Sequence, residues 1–374
     1  MIHLGVYGNS KWSLLMKKLL ENDYSEMLSQ NGGERIAVDH FVVDEPSKEG
    51  EISVEFFLQK YLCGELSILV IPKEYYMQYN DLVFKLLRGG MNTDDIYNGI
   101  RLFDGFEGHK DLIPYLVTPM AEDPYLSYLE YHVADHCNLN CKYCTHYSPL
   151  VEQPVFTDLA KFEKDINQLK KYIKDIGVIR ILGGEPLLNE ELPRFIELSR
   201  SVYPGSLITV VTNAMLLDRI NEELKESMRM NKAFFHISFY PPLEKKIGDI
   251  KKMLVDEKIP FTITDMIPEF NKTQTLKPNG DPDFFYHCFQ AGCTCLHDGK
   301  IAPCYAPFTT KYFNEKYGKS LPTDEGIDLY SDELTVEKIK LSLLVPMARC
   351  SFCIAGEPHK WEIVGKNSTL EDWV

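Results

Sequence analysis

The sequence predicts an α/β protein of three parts: an N-terminal α/β domain at 1–122, a parallel strand–helix region at 123–275, and a small cysteine-rich C-terminal domain at 276–374. Three observations lead there. Short apolar runs alternate with helix-period segments in the first third and again in the middle third, the pattern of parallel βαβ units. Six of the ten cysteines fall between Cys288 and Cys353, and three more sit within Cys137–Cys144. Cysteines grouped in this way read as metal ligands rather than disulfides.

In the first domain, Ile2–Tyr7 reads as a strand that Gly8-Asn9-Ser10 turns into a helix carrying Leu14, Leu15, Leu19 and Leu20. Arg35–Val43 follows as a strand, Glu51–Leu62 as a helix, Ser67–Ile71 as a strand, Asn80–Leu87 as a helix and Gly99–Phe103 as a further strand. The strand-first order and glycine turn make this domain Rossmann-like. Gly5 and Gly8 do not complete G-x-G-x-x-G and no Walker lysine follows, so neither dinucleotide nor ATP binding is supported. The domain reads as one for substrate recognition or protein contact.

The middle third alternates more clearly. Strand Leu129–Val133 precedes a cysteine-rich loop, and a helix from about Asp158 carries Leu159, Phe162, Ile166, Leu169, Ile173 and Ile176 at helical spacing, with Thr157 as its cap and Gly177 as its stop. Strands then follow at Val178–Leu182, Leu207–Val211, Ala233–Phe239 and Phe261–Thr264. The helices between them are Glu190–Val202, Asp218–Met230 and Glu244–Asp256.

The run Asp135-His136-Cys137-Asn138-Leu139-Asn140-Cys141-Lys142-Tyr143-Cys144 places three thiols on one short loop at C-x3-C-x2-C spacing. A [4Fe–4S] cluster normally takes four thiolates. Cys137, Cys141 and Cys144 have no fourth partner nearby, so one iron would stay open for a non-protein ligand. The spacing is not that of a bacterial ferredoxin. His136 and His146 flank the loop, so composition alone leaves zinc open.

The motif resembles that of the radical S-adenosylmethionine (radical SAM) superfamily. The resemblance implies a partial (β/α)6 barrel of TIM type, with S-adenosylmethionine chelated to the open iron through its amino and carboxylate groups. One electron would then split it to methionine and a 5′-deoxyadenosyl radical that abstracts hydrogen from a substrate. It further implies an electron donor such as flavodoxin or ferredoxin, and an aromatic residue near the adenine, the place that Tyr143 takes. In such folds the site gathers at the C-terminal ends of the strands.

Gly183-Gly184-Glu185-Pro186 lies there, directly after Val178–Leu182. Two glycines let backbone approach a ligand closely, and a carboxylate can accept from an ammonium. The tetrapeptide resembles the family's motif for the amino group of S-adenosylmethionine. Thr212-Asn213 and Ser238, at the ends of later strands, resemble positions that meet the ribose or carboxylate, although short polar residues there are also ordinary turn formers. Arg180 reads equally as a barrel ion-pair partner, and His236 as a buried structural histidine.

Farther on, Asp298-Gly299 is a hairpin signal that folds Cys304 back beside the cysteines before it, and Cys350-Ser351-Phe352-Cys353 supplies a C-x2-C pair. The arrangement resembles the Twitch form, the shortened relative of the SPASM extension, and implies one auxiliary [4Fe–4S] cluster. Cys304, Cys350 and Cys353 are its expected ligands, with Cys288 or Cys293 as the fourth. A four-cysteine zinc ribbon uses the same devices and stays open. Cys295 is left over, as a candidate hydrogen donor to substrate or as a small buried apolar residue.

A net charge of −15 without a basic stripe argues against a nucleic-acid surface. The longest apolar run, Leu66 to Pro72, is too short to span a bilayer, and the first residues lack a signal-peptide pattern, so a cytoplasmic protein is expected. The leading reading is a radical SAM oxidoreductase or epimerase acting on a small polar molecule such as a nucleotide-linked sugar. That substrate class rests on the Rossmann-like first domain and on Cys144-Thr145-His146-Tyr147-Ser148-Pro149-Leu150, which together with the Phe313-Asn314 region and the late C-x2-C pair resembles radical SAM proteins of sugar or cell-surface polysaccharide modification. Peptide modification is the alternative among enzymes. A non-catalytic iron–sulfur sensor is the alternative outside them, against which Gly183–Pro186 argues.

Overall fold

Alternation of buried and exposed side chains along short strands, joined by capped amphipathic helices, builds both units of the chain. The computed structural model describes residues 1–75, 78–99, 117–281, 283–364 and 368–374, and divides into Met1–Ser127 and Tyr128–Val374.

In the first unit six strands lie in the order Glu51–Ser53, Ile36–Val43, Ile2–Tyr7, Ile68–Pro72, Ile96–Gly99 and Val117–Pro119, all parallel except the last. The Ser10 hydroxyl accepts from the N–H groups of Trp12 and Ser13 and so starts helix Lys11–Leu19. Leu4, Val6, Met16, Leu19, Val38 and Val70 form the core between that helix and the sheet. The expected helix Glu51–Leu62 begins only at Val54, because Ser53 caps it and the three residues before it pair with the neighbouring strand. Of the expected strand Gly99–Phe103, only Gly99 falls among the described residues, where it ends Ile96–Gly99.

The second unit is built on an eight-stranded open sheet. Tyr125–Ala134, Asp175–Gly183, Leu207–Thr212, Phe234–Ile237 and Phe261–Ile263 follow one another in chain order. Parallel pairing carries the last four, and helices of the right period connect them. Helix Leu192–Val202 shows why these segments stay helical: Leu192, Phe195, Ile196 and Ser199 recur on one face and all are buried. On the other edge of Tyr125–Ala134 comes the hairpin Cys295–His297/Lys300–Ala302, with Asp298 and Gly299 both at positive φ, as its turn requires. A separate two-stranded sheet pairs Glu269–Gln274 with Cys353–Lys360.

The helix after the cysteine loop differs from expectation at both ends. Helix Leu159–Tyr172 is capped by Asp158, whose carboxylate accepts from the N–H of Lys161, not by Thr157. Such a cap contributes about 0.5–2 kcal/mol. Ile176 and Gly177, expected to end the helix, belong to strand Asp175–Gly183; Ile173, Ile176 and Val178 are buried, and a continuous apolar run fits a strand covered on both faces. Among the described residues no helix is long and apolar enough to cross a membrane.

Candidate active site

Four parallel strands release their C-terminal ends around one cavity of about 240 Å³. Cys137, Cys141 and Cys144 line it together with Gly183 and Gly184, Thr212 and Asn213, and Ser238. The structure thus gathers into one place residues that lie up to a hundred positions apart.

Backbone contacts explain why glycine is needed twice. Gly183 sits at φ +141°, and a Cβ there would meet the Ala134 carbonyl oxygen at 2.0 Å. A Cβ on Gly184 would meet the His136 carbonyl oxygen at 2.1 Å. That closeness lets Gly184 N–H donate to Ala134 O at 2.7 Å and Glu185 N–H to His136 O at 3.1 Å. The second strand is thereby stitched to the entrance of the cysteine loop.

Glu185 departs from its expected role. It is fully buried, and its carboxylate accepts from the Thr212 hydroxyl at 2.6 Å, the Asn213 N–H at 2.9 Å and the Leu187 N–H at 3.1 Å. Burial outweighs these donors and pushes its carboxyl up to about 7. The side chain therefore holds the next strand end in place and does not line the cavity. Pro186 likewise is buried and opens a short 3-10 turn. Tyr143 is also displaced from expectation: at φ +58° its ring packs 4.5 Å from His359. The aromatic side chains that line the cavity are Tyr240 and Phe270, with Thr145 and His146 beside them.

Cys141 is buried and Cys137 and Cys144 are half-buried, and desolvation raises all three thiols; for Cys137 the Glu185 charge adds to this, and Cys141 is pushed up to about 12. Backbone N–H groups of Ser148, His146 and Tyr147 work the other way on Cys144. The Asn213 amide donates to Cys137 Sγ at 3.5 Å. Desolvated thiols that raise one another's pKa are poor as isolated acids and suited to a shared cation that takes them as thiolates. The residues fit a three-thiolate cluster.

The far end of the chain holds this loop. Lys142 N–H donates to Glu362 O at 2.9 Å, Val364 N–H to Asn140 O at 2.7 Å and Tyr143 N–H to Asp372 O at 3.1 Å. Trp373, 1% exposed, packs in a cluster with Tyr147 and Phe313. Nothing in the composition of 361–374 announced those three bonds to the loop, since they are made by backbone.

A second cavity is lined by Cys288, Cys304, Cys350 and Cys353, with apolar walls from Phe284, Phe285 and Met347. Cys293 does not join them: it lies by Glu130, Arg180 and Tyr128. Asn279 organises the C-x2-C turn, its amide donating to the carbonyls of Cys353 at 2.8 Å and Cys350 at 3.2 Å. Arg349 lines the same cavity while 1% exposed; its guanidinium donates to the Thr310 hydroxyl at 2.9 Å, the Tyr147 hydroxyl at 3.5 Å and Cys353 Sγ at 3.7 Å. No carboxylate pairs with that guanidinium among the described residues; the Glu325 carboxylate instead accepts from the backbone N–H groups of Ala348 and Arg349. Cys295 is 1% exposed and packs with Ala302, Tyr305 and Phe308, lining neither cavity, which removes it as a hydrogen donor.

The radical SAM superfamily profile matches residues 131–261, the segment that carries the first cavity's cysteines and strand ends. Residues 131–261 form a radical SAM domain. The domain uses a [4Fe–4S] cluster and S-adenosylmethionine. Similar curated proteins include the GTP 3′,8-cyclase of Sulfurovum sp. (strain NBC37-1), 36% identical over 104 residues, which are 27% of this chain and 31% of that one. The GTP 3′,8-cyclase of Sulfurimonas denitrificans is 35% identical over 106 residues, 28% and 33% of the two chains. The chain therefore spans about a third of the length of the curated relatives it matches. Among solved structures, BtrN in complex with AdoMet and 2-DOIA aligns at TM-score 0.39 and 15% identity over 62% of this chain and 92% of that one. Streptococcus suis SuiB bound to precursor peptide SuiA aligns at 0.35 and 12% over 74% and 79%.

Proposed function

We propose that the chain binds S-adenosylmethionine in the first cavity and abstracts hydrogen from a small polar substrate, with one auxiliary [4Fe–4S] cluster held by Cys288, Cys304, Cys350 and Cys353. The observation that carries this is the meeting of Cys137, Cys141 and Cys144 with Gly183, Gly184, Thr212, Asn213 and Ser238 around one cavity. When bound and reduced, the cluster and cofactor supply a hydrogen-abstracting radical. Asn213 would orient the Cys137 sulfur, the carbonyls of Leu182–Gly184 would receive the cofactor's ammonium in place of Glu185, and Tyr240 and Phe270 would exclude water.

Oxidation of a nucleotide-linked sugar is the reaction we favour, and GTP in the relatives' name supports a nucleotide-bearing substrate. Epimerisation would need a hydrogen donor. Neither Cys295 nor Cys293 lines the first cavity, which favours oxidation over epimerisation. Peptide modification remains the competing substrate class. The first domain would serve substrate recognition, and an external reductant such as flavodoxin or ferredoxin would reduce the cluster.

The test is anaerobic reconstitution, followed by dithionite, S-adenosylmethionine and a search for 5′-deoxyadenosine. About eight irons per chain with cleavage is expected, and Cys141→Ala should abolish the cleavage. Cleavage that survives Cys141→Ala would sink the assignment. About four irons with bound zinc would make the second cavity a structural zinc knot.

A further inference from the structure

Glu130 and His132 lie two positions apart on strand Tyr125–Ala134, so their side chains share a face, and both are buried. His146 follows the cysteine loop and lines the first cavity. One donor atom from each of the three lies within 4.8 Å of the other two. Glu130 Oε1, His132 Nε2 and His146 Nε2 are all buried, and none has a hydrogen-bond partner. Native proteins rarely leave one such atom unsatisfied, and three in one place need a common cause.

The opposite ends of these side chains are occupied. The Tyr128 hydroxyl donates to Glu130 Oε2 at 2.6 Å. His132 Nδ1 lies 3.2 Å from Asp135 Oδ1, and Asp135 also accepts from the Tyr312 hydroxyl. Asp135 as acceptor places the ring hydrogen on Nδ1, so Nε2 presents a lone pair. A carboxylate behind a histidine in this way is the support that metal-ligating histidines use. The His146 ring is held flat against Tyr305, centroids 3.8 Å apart and 15° between planes.

A single hydroxyl or water does not satisfy three lone pairs at once. Burial pushes the Glu130 carboxyl up to about 7, and a cation beside it would hold it ionised; in that state Glu130 Oε1, His132 Nε2 and a neutral His146 offer three lone pairs, whereas a water has two hydrogens and a hydroxyl one. A cation that takes three lone pairs satisfies all of them.

We propose that Glu130, His132 and His146 form a divalent transition-metal site of two histidines and one carboxylate, of the class that takes zinc or iron(II), inside the second unit and next to the first cavity. Two imidazoles and a carboxylate are a common zinc donor set with room for a further ligand. Because His146 also lines the first cavity, that open position faces it and suits a hydroxyl or carboxylate oxygen of the substrate. The site does not depend on the S-adenosylmethionine reading.

The test uses the full chain with its iron–sulfur clusters assembled anaerobically, incubated with zinc and desalted. Metal is counted by mass spectrometry and the zinc environment read by zinc K-edge X-ray absorption, which ignores iron. One zinc per chain is expected, with a shell of nitrogen and oxygen at about 2.0–2.1 Å and no sulfur. His132→Ala and the shape-preserving Glu130→Gln should each lower zinc retention at least tenfold while iron and sulfide per chain stay constant, which also reports that the variants fold. No zinc on the wild-type protein would overturn the proposal and leave the triad as a cradle for a substrate ammonium. A sulfur shell, or undiminished zinc in both variants, would overturn it too, by placing the ion at cysteines.

Discussion

Gly183→Ala is the sharpest perturbation of the proposed cofactor site. An alanine at φ +141° sits in backbone space nearly closed to L-residues, at a cost of about 1–3 kcal/mol. Its Cβ would also lie 2.0 Å from the Ala134 carbonyl oxygen, so the strand end must move away from the cysteine loop. That movement breaks the bonds from Gly184 to Ala134 and from Glu185 to His136, each worth about 0.5–1.5 kcal/mol net. The sum is about 2–6 kcal/mol, a large part of a domain's usual stability of about 5–15 kcal/mol. Gly248→Ala is the control: nothing lies within 4 Å of its Cβ, and at this exposed first-turn position stability should change by less than about 0.5 kcal/mol. Urea unfolding of both variants, with S-adenosylmethionine binding by equilibrium dialysis on the cluster-loaded protein, reads the two effects. Equal stability in both variants, or wild-type binding by Gly183→Ala, would refute the reasoning.

The other expectations address the thiols and the buried charges. Cys288→Ala should lose about four of about eight irons per chain, whereas Cys293→Ala should lose none; iron and sulfide assays decide. Arg349→Met should change sign with loading. In the metal-free chain it removes a buried, unpaired guanidinium and raises stability by about 1–3 kcal/mol, whereas in the loaded protein it removes the counter-charge and speeds chelator-driven iron loss. Glu185 titrates at about 7 when folded against an ordinary 4.5, so its contribution is fully present below pH 4.5 and is lost as pH rises through 7. The loss amounts to about 3 kcal/mol. Urea midpoints of the metal-free chain across that window should fall less steeply in Glu185→Gln.

Local chemistry was legible; what depends on the third dimension was not. The C-x3-C-x2-C loop and the Asp298-Gly299 turn write their geometry into spacing and backbone preference, and the structure places both as expected. Strands at Ile2–Tyr7 and Leu207–Thr212 announced themselves through apolar runs between turn residues. The Ile173–Val178 boundary was misread because a buried strand and a helix face are both continuous apolar stretches there. Glu185 sits in a motif whose residue types fit a ligand contact, yet its donors Thr212 and Asn213 come from the next strand. Choosing Cys288 over Cys293 likewise required the fold of the loop between them. Arg349 and Asn279 had no signal at all, being ordinary polar residues until the backbone buries them.

The cysteine loop's backbone partners have a consequence for the order in which this protein matures. Lys142 bonds to Glu362, 220 positions later. At about 5–20 residues per second, a ribosome needs on the order of 10–40 s to make the intervening chain. For that interval Cys137, Cys141 and Cys144 are already synthesised while the segment that clasps their loop does not exist. Iron and sulfide delivered during this window meet an open loop; delivered later, they must wait for the clasp to unfasten. Premature stop codons after strand Phe261–Ile263 would then yield chains that acquire the cluster readily and keep it poorly.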